Sequence, residues 1–250
     1  MFQRYRKNIF SQNGEDGVIL ELLKRLRLKK KVNWCCEFGA WDGKHGSNTF
    51  NLVKNFNYHA VYIEGDKKKY EDLLITKLNY PKIVAINKYV SWKKKNLNSL
   101  DKILQKTKIV KNFDILSIDI DSYDLEVWKS IKKYRPKIVV IEVNSGVLPG
   151  IEQVHSVNTI GNSFTSTVNF ATKIKYQLVC HTGNCIFVDK KYFKNLRINK
   201  RFANNKNTNY LFDRSWINKK EFILKKIVKS ILPNRVINLL SYIKFKILKK

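Results

Sequence analysis

Residues 33–48 read NWCCEFGAWDGKHGSN, and the fold follows from how this stretch is divided. Trp34, Cys35, Cys36 and Phe38 make a run of strand length, with Glu37 at its end and a loop punctuated by Gly39 and Gly43 after it. Ser47 or Asn48 can cap a following helix, so the stretch reads as strand, tight loop, helix start. Glycines let a backbone approach a ligand closely, a helix N-terminus offers free N–H groups, and Glu37 can accept hydrogen bonds from a ligand amine or hydroxyl. Asp42 and Asn48 lie in the same loop and join Glu37, Gly39 and Gly43 as candidate ligand-binding residues. An ordinary turn with glycines placed for close packing has the same pattern, so the rest of the chain has to decide.

The spacing separates two ligands. A dinucleotide loop wants G-x-G-x-x-G, with its second glycine against the pyrophosphate; Trp41 stands there, and a bulky indole argues against NAD. The reading acid-x-Gly-x-x-x-Gly, through Glu37, Gly39 and Gly43, suits S-adenosylmethionine, whose amino-acid end needs an acid and backbone donors. A second strand, Tyr58 to Ile63, ends at Glu64-Gly65-Asp66. Glu64 lies 64 − 43 = 21 residues past Gly43, where doubly wound folds place a carboxylate for both ribose hydroxyls, about 20 residues on. Strand three, Lys82 to Ile86, ends at Asn87, which can edge an adenine pocket or serve as a turn residue.

Strand four, Phe113 to Ile118, runs into Asp119-Ile120-Asp121-Ser122-Tyr123-Asp124. Ligands of open α/β sheets bind outside the carboxyl ends of the strands, and in an extended stretch Asp119 and Asp121 project to the same side. They are the candidate catalytic pair, as a general base for an acceptor hydroxyl or as ligands of Mg²⁺, while Asp124 caps the helix Leu125 to Lys132. Strand five, Lys137 to Val143, ends at Glu142 and Asn144. The loop 145–163 has no periodicity and is long enough to be a substrate wall, with Glu152 and His155 as its candidate residues. Helices are expected over Val18–Leu28, behind the polar leader Ser11–Gly17, and over 67–78, 96–106 and 164–175. Tyr176 to Cys180 and Cys185 to Asp189 read as a hairpin about residues 181–184.

The element order implies an α/β fold: a doubly wound, Rossmann-like seven-stranded sheet with a terminal antiparallel hairpin. SQNGEDGVI, CCEFGAWDGKHGSNT, VYIEGD, LSIDIDSYD, VVIEVN and GNCIFV, in that order over about residues 11–189, resemble the FkbM-like branch of class I S-adenosylmethionine-dependent methyltransferases. The resemblance implies Glu37, Gly39 and Gly43 at the methionine end, Glu64 at the ribose, and Asp119 with Asp121 at the reacting end. This chain has Ser122 where the family more often has glycine. Relatives of this branch sit among sugar and cell-surface polymer enzymes, which implies methyl transfer to an oxygen, a sugar hydroxyl of a glycan or polymer precursor.

The chain has 250 residues and a formal net charge of +29, which suggests a polyanionic partner. Lys outnumbers Arg 40 to 9, so much of that charge reads as solvated surface rather than the Arg forks of a phosphate reader. Nucleic acid, as an RNA-binding or RNA-modifying protein on the same fold, is therefore the alternative, and a relative without chemistry is another. Cys35, Cys36, Cys180 and Cys185 form no C-x-x-C pair and read as small core residues in a reducing cytosol, not as zinc ligands. No run of about 18 apolar residues occurs, so a cytoplasmic protein is expected. The expected organisation is a catalytic domain over 1–190, an irregular Asn-rich connection over 191–218, and a basic amphipathic helical tail over 219–250. That tail carries ten Lys or Arg against Glu221 and is broken by Pro233. It reads as a peripheral anchor on the anionic inner membrane face, an RNA-facing segment, or a helix docked on its own domain.

Overall fold

The computed structural model describes residues 1–27, 33–93, 95–198 and 208–215. Strands β1 (Trp34–Phe38), β2 (His59–Glu64), β3 (Ile83–Asn87), β4 (Ile115–Ile118), β5 (Ile138–Glu142), β6 (Tyr176–His181) and β7 (Asn184–Asp189) form one sheet in the order β3-β2-β1-β4-β5-β7-β6. The first five are mutually parallel, and β7 pairs antiparallel with both β5 and β6. This is the expected doubly wound, Rossmann-like seven-stranded sheet with its terminal antiparallel hairpin. The order reverses between β1 and β4, so a crevice opens at the carboxyl ends of these two strands.

The central strands are buried on both faces because βαβ crossovers put helices on each side, and their sequences are correspondingly continuous in apolar residues. Helices α1 (Glu15–Leu26), α2 (Phe50–Phe56) and α3 (Lys67–Asn79) supply Val18, Ile19, Leu22, Phe50, Leu52 and Leu73 to one core layer. Helices α4 (Leu100–Leu104), α5 (Asp124–Ser130) and α6 (Phe164–Lys173) supply Leu104, Leu125, Trp128 and Phe164 to the other. Cys35 belongs to the first layer and Cys36 to the second, as strand alternation requires. All four thiols are free and buried, and burial pushes them up in pKa, which leaves them inert packing groups.

Several boundaries differ from expectation, for local reasons. Helix α1 starts at Glu15 rather than Val18, because Gly14 turns the chain in the left-handed region at φ +98°. Helix α2 starts after Ser47 and Asn48, yet the Ser47 hydroxyl still accepts from the Thr49 and Phe50 N–H groups. Helix α4 is shorter than 96–106 because the chain first makes a turn in which the Ser99 N–H donates to the Asn96 carbonyl. Contacts carry the first compact unit to Asp213. The connection is not irregular throughout: α7 (Lys190–Phe193) and a 3₁₀ turn over Lys194–Leu196 follow β7, and Leu211 is buried. The amphipathic tail expected over 219–250 lies outside the described residues. No helix of the described residues is long and apolar enough to cross a membrane.

Candidate functional site

The loop after β1 is held from three sides. Gly39 has φ +77°, and a Cβ there would sit 1.6 Å from the Asp119 carbonyl oxygen. Its need for glycine is thus the approach of β1's end to β4's end. Gly43, at φ +75°, faces Leu73 and Tyr62, which a Cβ would meet at 2.6 and 3.0 Å. Between them Trp41 takes φ +49°, a conformation costly for a bulky residue. Its N–H donates to Glu64 Oε2 at 2.8 Å. Asp42 is buried and closes the next turn, its Oδ1 accepting from the Lys44 and His45 N–H groups at 3.0 and 2.8 Å.

Glu37 is also buried, and its partners are protein groups. Oε2 accepts from the Ser47 and Thr49 hydroxyls at 2.7 and 2.6 Å, and Oε1 from the Asn48 N–H at 3.1 Å. Burial raises its pKa while these hydrogen bonds oppose the shift. The Asn48 side-chain amide reaches across to donate to the Ser117 hydroxyl of β4 at 3.1 Å. Glu64 ends β2 with one oxygen on the Trp41 N–H and the other on the Asp66 N–H, both at 2.8 Å. The Asn87 side chain donates to the Glu64 and Gly65 carbonyls at 2.8 and 3.2 Å. The residues expected at a cofactor therefore form one connected rim over the ends of β1, β2 and β3, with Glu64 clasping two loops.

The reacting end is an acidic cluster. Asp119, Asp121 and Glu142 each bring a carboxylate oxygen within 4.8 Å of the others. Extended alternation does not produce this, because Asp121 has φ +58° and the chain turns there. The turn is fixed by Asp124, whose two oxygens accept from the Ile120 and Ser122 N–H groups at 2.9 Å each. Burial pushes the Asp124 carboxyl up to about 6 against those hydrogen bonds. Burial, with the charges of Asp121, Asp124, Glu37 and Glu15 added, holds the Asp119 carboxyl well above the usual range. Glu142 is raised likewise, by burial and then by Asp119, Asp121 and Asp124. Such shifts make these carboxyls stronger proton acceptors than solvated ones.

Two partners of this cluster are not visible in local spacing. Glu142 converges because β5 lies beside β4, a strand order that the parallel βαβ pattern implies. The other is the polar stretch Ser11–Gly17, whose last three residues open α1. Asp16 accepts from the N–H groups of Ile9, Phe10 and Ser11, which is turn capping. Glu15, fully buried, accepts from the Thr182 hydroxyl at 2.6 Å and the Asn184 amide at 3.1 Å. Only the folded hairpin puts these groups beside the strand ends.

Glu152 and His155 are not brought together. Glu152 accepts from Asn169 of α6 at 2.5 Å. His155 accepts the Gly161 N–H on Nδ1 at 3.1 Å and sets its ring edge-on to Tyr123, centroids 4.6 Å apart. Tyr123 in turn stacks on Trp92 at 5.8 Å. A ladder of three rings thus joins the loops after β3, β4 and β5, and its middle ring, Tyr123, follows Asp121 by two residues. The loop 145–163 also exposes Leu148, Ile151, Val154, Val157 and Ile160.

Residues 37–159 match the family model described as the methyltransferase FkbM domain. No curated protein matches the chain in sequence. Among solved structures, TrmK of M. capricolum in complex with S-adenosyl-homocysteine is similar at 16% identity, over 90% of this chain and 93% of that one, with a TM-score of 0.42. The O-methyltransferase TomG from Streptomyces achromogenes, in complex with SAM, shares 16% identity over 72% of this chain and 82% of that one, with a TM-score of 0.44. The CurJ carbon methyltransferase shares 9% identity over 75% of this chain and 56% of that one, with a TM-score of 0.46.

Proposed function

Because residues 37–159 match the model of the FkbM methyltransferase domain, we propose that the chain moves a methyl group from S-adenosylmethionine to a hydroxyl oxygen of a sugar, in a glycan or cell-surface polymer precursor. The observation that carries the oxygen acceptor is the cluster of Asp119, Asp121 and Glu142 at the strand ends, followed two residues past Asp121 by Tyr123 of the ladder Trp92, Tyr123 and His155. Flat rings cover the apolar faces of a sugar, and carboxylates take its hydroxyls. The donor set suits the cofactor as well. Glu37, Asp119, Glu142 and Glu15 make the strand ends acidic, complementary to a sulfonium and an ammonium, and Glu64 offers only acceptors to ribose hydroxyls.

When bound, S-adenosylmethionine supplies an electrophilic methyl group on a positively charged sulfur. The chain's own contribution is alignment and proton removal. The rim from Gly39 to Glu64 fixes the donor's position, the ring ladder fixes the acceptor's, and Asp119 takes the acceptor's hydroxyl proton as its oxygen attacks. One O–C bond forms, one S–C bond breaks with its electron pair left on sulfur, and the proton rests on the carboxylate. Loop residues Glu152 and His155 act at one remove, Glu152 by tying the loop to α6 and His155 as part of the ring wall.

The alternative acceptor, RNA, is favoured only by the charge of +29. From residue 138 to residue 172 the chain has no Lys or Arg, and this stretch holds β5, the acceptor-side loop and most of α6. A phosphate backbone needs cations there. We place the protein in the cytoplasm with the basic residues 219–250 holding it on an anionic inner membrane face. Incubation with methyl-labelled S-adenosylmethionine, glycan precursors and RNA tests the reading. Label on a sugar oxygen supports it, and label on RNA or on carbon overturns it.

A further inference from the structure

The ends of β4, β5 and β7 present one row of oxygens on the α1 face of the sheet. Ile118 pairs with Ile141, so Asp119 and Glu142, one residue further on, stand level at the ends of neighbouring parallel strands. Glu142 pairs in turn with Asn184 of β7, and directly opposed antiparallel residues project to the same face. Asp121 comes back to this row through its left-handed turn, and its carboxylate lies with those of Asp119 and Glu142 inside 4.8 Å. Among the described residues, none of the ion pairs involves these three acids.

Asn184 gives the second, independent observation. Its side chain is 8% exposed, and its amide nitrogen is committed to Glu15 Oε1 at 3.1 Å. Its Oδ1 is buried with no hydrogen-bond partner. A buried amide oxygen without a donor is costly, and one set in a row of carboxylates has a natural partner in a cation rather than in another acceptor. Among the described residues it has no hydrogen-bond partner, and Glu142, its cross-strand neighbour on this row, is itself an acceptor.

We infer that Asp119, Asp121 and Glu142, with the amide oxygen of Asn184, form a binding site for one hard divalent cation of the Mg²⁺ or Ca²⁺ class. The ligand set is oxygen alone, without the imidazole or thiolate that zinc and copper prefer. Four protein oxygens leave coordination positions open, and two adjacent hydroxyls of a sugar would fill them. This use of the site rests on the transfer proposed above. One Asp119 oxygen would hold the cation while its other oxygen takes the proton of the bound hydroxyl, so that no further reactant is needed.

The test is made on the full chain without S-adenosylmethionine. Mn²⁺ serves as the probe, with its free concentration followed by electron paramagnetic resonance, and Mg²⁺ and Ca²⁺ added as competitors. The expected result is one Mn²⁺ bound per chain and displaced by Mg²⁺ or Ca²⁺. Glu142→Gln and Asp121→Asn should each weaken uptake at least tenfold, and the exposed Glu71→Gln should leave it unchanged. Asn is the side chain that best tolerates the φ of Asp121, so that variant keeps the turn, and circular dichroism melts confirm that both variants fold. No stoichiometric uptake, or uptake insensitive to both variants, overturns the site. Calorimetric titration with S-adenosylmethionine is run separately, so loss of the transfer reading and loss of the cation site are told apart.

Discussion

Replacing Glu64 by Gln separates the duty that the structure gives this carboxylate, clasping two loops, from the one proposed for it at the ribose. Each oxygen accepts one backbone N–H, from Trp41 and from Asp66, both at 2.8 Å, and the residue is 7% exposed. Gln keeps the volume and one acceptor, but its NH₂ group must face one of the two N–H donors. That donor is left buried and unpaired, at a cost to folding of about 1–3 kcal/mol. The ribose hydroxyls lose a charged acceptor as well, worth about 1.5–3 kcal/mol, which is a Kd for S-adenosylmethionine weaker by roughly tenfold to a hundredfold or more. Urea melts of the free protein measure the first cost, and calorimetric titration at a temperature where the variant is fully folded measures the second. Glu64→Asp restores the charge without the reach and should fall between. A folded Glu64→Gln protein that binds S-adenosylmethionine within threefold of the wild type would show that Glu64 only clasps the two loops. The ribose assignment would then be wrong.

Four further outcomes are expected. Gly39→Ala should cost more than about 3 kcal/mol in a urea melt, since it adds a collision with the Asp119 carbonyl to the left-handed backbone cost; Gly150→Ala, at φ +96° with open space around it, should cost only about 1–2 kcal/mol. Burial lowers the His181 imidazole to about 4 from 6.5, with Asp213 opposing and Arg6 adding to the shift. Its contribution to stability is therefore whole above pH 6.5 and is lost as pH falls toward 4, by about 3 kcal/mol at the limit, so melts at pH 7 and pH 5 should differ by less in His181→Gln than in the wild type. Asp119→Asn should lower single-turnover methyl transfer by about a hundredfold or more and leave cofactor affinity within a few fold; unchanged turnover rejects its role as base. Deleting residues 219–250 should release the protein from anionic vesicles in a sedimentation assay, and equal sedimentation of both forms shows that the tail is no anchor.

The sheet was legible because its signals are local. Apolar runs of four to six residues, separated by helical periodicity and ending in acids or glycines, specify parallel strands wherever they fall. The site was legible only where its residues share one strand end. Glu37, Glu64 and Asp119 each close a strand, and strand ends are where open α/β sheets place ligands. The glycines were read for the right place and for a partial reason. Gly39 and Gly43 answer to Asp119, Leu73 and Tyr62, contacts that join β1 to β4 and the loop to α3 and β2, and no spacing rule contains them. The same limit hid Glu15 and Asn184, which are 169 residues apart and share a hydrogen bond. Asp121 shows the converse error: alternation predicted the right convergence of acids through the wrong backbone, since a left-handed residue and the Asp124 carboxylate do the turning; Asp124 is the first residue of α5 and bonds the Ile120 and Ser122 N–H groups of the turn instead of capping the helix as expected.

The distribution of charge gives the composition a meaning that its total does not. A chain of +29 would ordinarily be read by its cations, and a uniform coat of lysine attracts any polyanion without selecting one. Here the carboxylates are drawn inward. Glu15, Glu37, Asp119 and Glu142 meet at the strand ends, while the whole stretch 138–172, proposed above to wall the acceptor side, has no Lys or Arg. A field of this shape steers anionic surfaces toward the protein's outside and offers nothing to a phosphate at its reacting end. It offers instead what a neutral, hydroxyl-rich acceptor and a cationic methyl donor both require, a patch of oxygens beside flat rings. The basic surface and the acidic site are therefore compatible on one chain: on the proposed reading the one would bring the protein to an anionic surface and the other would admit uncharged hydroxyls.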